Sequence, residues 1–342
     1  MSGHKSLKIL IVGAAWIGDA VMAQVLYRFL KAQHPDCIID VLGPPHTSAL
    51  VARMPEVRQF ISLAIGHGQM QLGLRYRLAK RLRNEQYDQA IVLPNSWKSA
   101  LLPFWARIPV RTGWSGECRY WLLNDRRILN KTALPLMIQR FASLGISEQQ
   151  TLPPAKELPI PQLIVSTSAQ EAACARHNLT TDKPVLALCP GAEFGPAKRW
   201  PAEHFATVAR QKLQQGWNVW LLGSPKESDA AATIQRMTEH ACVNLVGQTD
   251  LSQAIDILSL ATAVVSNDSG LMHIAAALDK PLVVMYGSSS SAFTPPLGKK
   301  VSTLALNLPC SPCFERTCRL QHLRCLVDLK PEMVLKALQE MV

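Results

Sequence analysis

Short apolar, β-branched runs that break into glycine recur along this chain and restrict it to a parallel α/β design. The first is LKILIVG (residues 7–13), followed by a helical spacing of apolar residues through Tyr27 and Leu30. IIDVL (38–42) and QAIVLP (89–94) repeat the theme. Runs of this length, separated by longer segments of helical period, suit strands sandwiched between two helical layers. The eleven residues TLPPAKELPIP (151–161) hold four prolines and read as a linker. Beyond it the succession restarts with PVLALCPG (184–191), NVWLLG (218–223), ACVNLVG (241–247), AVVSNDSG (263–270) and PLVVMYG (281–287). A helix is expected from near Pro201, because proline at a first-turn position forfeits no hydrogen bond. A last helix is expected over about residues 331–341.

The expected fold class is therefore α/β, with two Rossmann-like domains whose parallel sheets face a central cleft. Their expected bounds are 1–155 and 162–342, with the final helix (331–342) packing back on the first domain. Open parallel sheets bind ligands beyond the carboxyl ends of their strands, so chemistry is sought in the loops that follow each strand.

With 48% of its residues hydrophobic and 18% charged, the chain has the composition of a globular protein. No apolar run approaches the roughly 20 residues of a membrane-spanning helix. The run after the N-terminal MSGHKS covers only residues 7–12 before Gly13 and Asp19, long enough for a strand and too short for a secretory leader. A cytoplasmic protein is the expectation. The net charge of +11 is unevenly placed. Residues 1–150 hold 19 Lys and Arg against 9 Asp and Glu, whereas residues 151–342 hold 17 against 16. A basic field confined to one half draws anionic partners: nucleic acid, an acidic membrane surface or an acidic substrate. A merely solvated basic face is the plainer reading.

The first loop, GAAWIGDAVMA (13–23), is neither a G-x-G-x-x-G fingerprint nor a Walker A motif. It offers Asp19 where the first strand turns into its helix. A carboxylate there either accepts a proton from an attacking hydroxyl or caps the helix. The loop PGAEFGPAKRWP (190–201) pairs Gly191 and Gly195 with Lys198 and Arg199. Glycines let backbone approach a phosphate, and a cation offsets the charge that develops on a departing diphosphate; a solvated basic turn is the alternative. SNDSGLMH (266–273) follows a strand and opens a helix near Ser269. The backbone N–H groups of Ser269, Gly270 and Leu271 would face a diphosphate, with Asp268 beside them and His273 one turn on. Asp268 would hold a sugar hydroxyl or cap the helix, and a lone histidine such as His273 is more often structural. In LLGSPKESDAA (221–231), Glu227 falls just past a strand end, where an acidic residue can take ribose hydroxyls.

Nine cysteines without a secretory leader argue against a disulfide framework. Cys37, Cys118, Cys174, Cys189 and Cys242 are scattered. Cys310, Cys313, Cys318 and Cys325 form C-x2-C-x4-C-x6-C, with His322 inside it. Four thiolates so close suit a structural zinc, with an iron–sulfur cluster or a set of reduced thiols as the alternatives.

Taken together, GDAVMAQVLYRFLK (18–31), LPNSWKSALLPFWARIPVRTGW (93–114), PGAEFGPAKRWP (190–201) and NDSGLMHIAAAL (267–278) resemble the ADP-heptose:lipopolysaccharide heptosyltransferases, glycosyltransferase family 9. The segments from 93 and from 190 are similar to its type II branch. The resemblance covers almost the whole chain and implies the two-domain GT-B architecture. It also implies transfer of L-glycero-D-manno-heptose from ADP-heptose onto the first heptose of the inner core. In that frame Asp19 is the general base and Lys198 the partner of the donor phosphates. Asp268 binds the donor heptose, Ser269, Gly270, Leu271 and His273 surround the diphosphate, and Glu227 contacts the ribose. The first domain takes the acceptor, an anionic Kdo–lipid A bearing one heptose at the inner face of the inner membrane. Lys98, Arg119 and Arg127 are candidates for that contact, and the basic first half suits it.

The expected reaction is a single inverting displacement without a catalytic metal, since no D-x-D motif follows a strand. A structural zinc at the four cysteines is the expected metal. The rivals are a heptosyltransferase acting at another core position, a nucleotide-sugar epimerase or hydrolase of the same fold, and a non-catalytic module for anionic lipid or nucleic acid. No recognised nucleic-acid motif is present, and aromatic–basic interleaving is sparse beyond Trp97–Lys98.

Overall fold

The computed structural model describes residues 6–66, 69–147 and 149–342, so the first five residues of the N-terminal segment weighed above as a leader lie outside it. The chain divides into two compact units, Met1–Pro161 and Gln162–Val342. The first unit carries β1 (Lys8–Val12), β2 (Ile38–Gly43), β3 (Val57–Ser62), β4 (Gln89–Val92), β5 (Val110–Trp114) and β6 (Asp125–Arg127). They pair in parallel in the order β3-β2-β1-β4-β5-β6. The second unit carries β7 (Val185–Cys189), β8 (Asn218–Leu221), β9 (Val243–Asn244), β10 (Ala263–Asn267), β11 (Leu282–Met285) and β12 (Val301–Leu304). Their order, β12-β11-β10-β7-β8-β9, is the same topology counted from β7. Both sheets are thus doubly wound, with the chain reversing direction across the sheet between β1 and β4, and again between β7 and β10.

The register follows from the apolar runs. Leu10 sits between Asp40 and Ala90, and Val265 between Leu188 and Val283. Every residue of β7 and of β10 is buried, as expected for central strands covered on both faces. In the second unit the core gathers Leu186, Leu188, Phe205, Val219, Leu221, Ile234, Val265 and Val283. In the first it gathers Leu10, Val12, Leu42, Ala90, Val92 and Leu102. Each large aliphatic side chain so buried contributes about 1.5–3 kcal/mol.

The final helix packs within the second unit. Pro331–Gln339 buries Val334, Leu335 and Leu338 in the core of the second unit, packing against the helix Ala202–Gln214 and against β11 and β12. Its apolar stripe is satisfied within its own unit. Pro201 sits one residue before the helix Ala202–Gln214, extended at φ −54° and ψ 137°. Leu158 of the proline-rich linker is buried, and just beyond the linker Leu163 N–H donates to Ala277 O at 2.9 Å.

Candidate functional site

At the reversal point of the second sheet, the loops after β7 and β10 lie side by side. Asn267, fully buried at the end of β10, fastens them together. Its Nδ2 donates to Pro190 O at 2.7 Å, and its Oδ1 accepts from Trp200 N–H at 3.0 Å. The β7 loop is further pinned by Trp200 Nε1, which donates to Leu329 O at 2.8 Å. Within this frame Lys198 Nζ donates to Asp268 Oδ2 at 2.6 Å, and Ser289 Oγ donates to the same carboxylate oxygen. Lys198 also lies 4.9 Å from the centre of the Phe194 ring. Only 16% of the Lys198 side chain and 6% of Asp268 reach solvent, so a strong fixed charge pair stands at the sheet's switch point.

The helix Gly270–Ala277 starts beside that pair, capped by Ser269 Oγ, which accepts from Met272 N–H. Its first N–H groups, at Gly270 and Leu271, precede the intrahelical ladder and carry the positive end of the helix dipole. His273 is buried on the same helix. Burial pushes its pKa down to about 4; Asp268 pulls it up and Lys198 adds to the fall. The imidazole is therefore neutral near pH 7, able to donate one hydrogen bond but adding no charge. Lys198, Asp268, Ser269, Gly270, Leu271 and His273, chosen from two separate loops, form one constellation suited to a phosphorylated ligand.

Glu227 occupies a neighbouring place. Its Oε2 accepts from Ser224 N–H at 2.8 Å and Ser224 Oγ at 2.7 Å, closing a capping box over the turn that opens the helix Ser228–Met237. Its Oε1 faces Arg199 Nη2 at 3.9 Å. The carboxylate is wedged between two glycine loops: a Cβ on Gly191 would lie 2.9 Å from Glu227 Cδ, and one on Gly223 3.2 Å from Oε2. The glycines after β7 and β8 thus make room for an acid. Its observed bonds are a turn's own, which leaves one carboxylate edge toward Arg199.

In the first unit, Asp19 stands in the first turn of the helix Ile17–Gln33, three residues after the extended cap residue Trp16. It is half-buried and is not the N-cap, and as an acid in the first turn it faces the positive end of the helix. The loop before it is braced by Gly13 N–H to Leu42 O at 2.8 Å and by His46 Nε2 against Ala15 O at 2.7 Å. Lys98 lies in the first turn of the helix Trp97–Trp105, which follows β4. Asp19 and Lys98 thus flank the reversal point between β1 and β4.

The other two basic candidates serve the fold. Arg119 is 1% exposed; its guanidinium donates to Pro94 O at 2.7 Å, to Trp114 O and to Asn95 Oδ1. It is a strut under the loop that carries Lys98, and it does not present its charge to an anionic ligand. Arg127 turns back along β6 to grip Asp125 with two bonds of 2.8 Å and to reach Ser143 O. These arginines sit in motifs rich in charge, and sequence alone does not show that backbone carbonyls and a neighbouring carboxylate claim them.

Several residues at the site carried no signal in the sequence. Asn267 and Ser289 act through a latch and a shared carboxylate that exist only once β7, β10 and β11 are adjacent. The cysteine segment lies here too. Ala197 N–H donates to Arg316 O at 3.1 Å, and a Cβ on Gly195 would meet that carbonyl at 2.5 Å. Phe314 N–H donates to Ser288 O, and Ser311 Oγ to Gly287 O. The cysteine segment therefore packs on both the Lys198 loop and the loop that holds Ser289.

Comparison with known proteins agrees with this geometry. Residues 75–324 match glycosyltransferase family 9 (heptosyltransferase). The chain is 45% identical to lipopolysaccharide heptosyltransferase 2 of Salmonella typhimurium, covering 98% of this chain and 99% of that one. It is 48% identical to lipooligosaccharide heptosyltransferase 2 of Haemophilus ducreyi, over 88% and 89% of the two. Among solved structures, the E. coli ADP-heptose lps heptosyltransferase II superposes with a TM-score of 0.87 at 43% identity, covering 98% of each chain. An E. coli heptosyltransferase solved with ADP shares the fold at 20% identity, with a TM-score of 0.70 over 98% of this chain and all of that one. The strand order, the loops at the two reversal points and these likenesses lead to one conclusion: the chain belongs to glycosyltransferase family 9, the heptosyltransferases.

Proposed function

We propose that this protein transfers L-glycero-D-manno-heptose from ADP-heptose to the first heptose of the lipopolysaccharide inner core, by one inverting displacement. The observation that carries the reading is the Lys198–Asp268 pair, set against a helix N-terminus where a doubly wound sheet reverses. Likeness at 44–48% identity to heptosyltransferase 2 proteins supports this acceptor over another core position. The second unit takes the donor. Lys198 and the N–H groups of Gly270 and Leu271 hold the diphosphate and stabilise the charge that grows on departing ADP. Neutral His273 adds a hydrogen bond, Asp268 takes a heptose hydroxyl while keeping Lys198 aimed, and Glu227 takes the ribose hydroxyls. The first unit takes the acceptor, with Asp19 receiving the proton of the attacking hydroxyl. No metal is required in this scheme, because a fixed cation and a helix dipole supply the countercharge.

Lys98 is the basic candidate that remains for the acceptor's Kdo carboxylates and phosphates. The protein acts at the cytoplasmic face of the inner membrane. Among the described residues no helix is long and apolar enough to cross a membrane, so contact with the bilayer would be peripheral. Supporting it, Trp121 and Ile128 are each 87% exposed, and Arg126 lies 5.1 Å from the ring centre of exposed Tyr120. Aromatic and basic side chains together favour an anionic lipid interface.

The test is ADP release from ADP-heptose, with and without Kdo–lipid A that already bears one heptose, for the wild type and Asp19→Asn. Release that depends on the acceptor and collapses in the variant is expected. Release without acceptor would instead make the protein a hydrolase, and conversion to another ADP-sugar without ADP release an epimerase.

A further inference from the structure

The four clustered cysteines line a single cavity of about 410 Å3, together with Ala197, Ser288, Arg319, Leu320, His322 and Leu323. All four carry free thiols. The segment between them is tightly turned: Gln321 and Leu323 take left-handed backbone angles, φ 57° and 47°, and Gln321 N–H donates to Cys318 O at 3.1 Å. A sign that the cavity is built for a ligand comes from Ser288. Ser288 is 1% exposed, and its Oγ has no hydrogen-bond partner, although a buried hydroxyl ordinarily finds one. A thiolate sulfur in the cavity would accept from it.

We propose that Cys310, Cys313, Cys318 and Cys325 bind one zinc ion as four thiolates, and that this knuckle fixes the loop carrying Lys198. His322 is not a ligand: its Nδ1 already accepts from Arg324 N–H at 3.0 Å. As the chain stands, the thiols line the cavity walls; among the described residues no three His, Cys, Asp or Glu side chains are gathered closely enough to hold an ion. Binding therefore draws the exposed Cys310 and Cys313 inward toward Cys318 and buried Cys325. A displacement reaction changes no oxidation state, so an ion without redox chemistry suits the role, and four soft sulfurs suit zinc. The second half of the proposal rests on the donor reading of Lys198. The metal-bearing segment would act through Arg316 O on Ala197 and through Phe314 N–H on Ser288, gripping both loops that hold the Lys198–Asp268–Ser289 group.

The experiment is metal analysis of the whole protein purified with reductant and without chelator. One zinc per chain is expected, retained in His322→Ala and lost in Cys310→Ser/Cys313→Ser. Replacement by Co2+ should give the sulfur-to-metal charge-transfer band and the intense visible bands of a tetrahedral thiolate site. Because stoichiometry and spectrum are read on the wild type, an unfolded variant leaves the test intact. Less than a tenth of an equivalent in protein with reduced thiols would overturn the site, as would iron in its place or loss of zinc in His322→Ala. For the positioning role, ADP is the probe. The folded double variant should bind it about tenfold or more weakly than the wild type, and an unchanged Kd would overturn that half. A wild type that holds zinc and fails to bind ADP would count against the donor reading and leave the zinc site standing.

Discussion

Replacing Lys198 by methionine separates its two roles. Nζ lies 2.6 Å from Asp268 Oδ2, with both side chains largely buried. At an effective dielectric of about 20, such charges attract by about 6 kcal/mol, most of which desolvation offsets. Removing one partner is different, because the other is left buried and charged. Asp268 would keep the bond from Ser289 Oγ, and Lys198→Met should lose about 3 kcal/mol of stability. Lys198→Met/Asp268→Asn removes both charges and should return to within about 1 kcal/mol of the wild type. Activity should not follow stability. Without Lys198 the charge on departing ADP lacks its fixed cation, so kcat should fall on the order of 10²–10³-fold in the single variant and remain low in the double. Urea melts with a double-mutant cycle give the coupling, and ADP release at saturating donor gives kcat. Two results refute the reasoning. One is a Lys198→Met protein as stable as the wild type with kcat within about threefold of it. The other is a double variant that regains activity together with stability.

Three further outcomes follow from single contacts. Gly195→Ala places a Cβ 2.5 Å from Arg316 O at a φ of +158°, so it should cost about 2–4 kcal/mol in a urea melt and weaken ADP binding by displacing the Lys198 loop. Asp19→Asn should lower kcat on the order of 10²–10⁴-fold while leaving donor KM and the melting temperature nearly unchanged, as measured by acceptor-dependent ADP release. His273, held at about 4 when folded against an ordinary 6.5, makes the unfolded chain the first to take a proton as pH falls. Stability present above pH 6.5 should therefore drop by about 3 kcal/mol between pH 6.5 and 4, and urea midpoints of His273→Gln should lack that part of the slope.

The central strands were legible because burial on both faces leaves an uninterrupted apolar run. ILIV of β1 and VLALC of β7 can be little else. The strands that escaped lie toward the sheet margins. VRQFIS of β3 is half exposed, DRR of β6 is three charged residues, and VSTL of β12 has no fully buried residue. An edge strand needs a neighbour's hydrogen bonds more than an apolar sequence, and only the assembled sheet supplies that neighbour. The same division holds at the site. Lys198, Ser269 and Gly270 follow central strands and were readable from glycine loops and a helix start. Arg119 was misplaced among acceptor contacts, because the carbonyls of Pro94 and Trp114 that hold it converge only in three dimensions. Asn267 and Ser289 were invisible for the same reason.

The carboxylates after the strands are not equivalent, and their surroundings sort the roles. Asp268 shares one oxygen between an ammonium and a hydroxyl, so its carboxylate is already engaged in holding Lys198 in place. Glu227 holds two donors from Ser224 and is walled in by Gly191 and Gly223, which fixes the direction of its remaining edge. Both belong to the unit that holds Lys198. A base placed there would be neutralised by the cation that must stabilise the leaving group, and it would face repulsion from the phosphates that cation attracts. In the scheme proposed above, Asp19 stands at the reversal point of a separate sheet, which avoids both conflicts. On that proposal, two copies of one topology divide the chemistry: one switch point would serve a departing diphosphate, and the other would offer a carboxylate to the incoming hydroxyl.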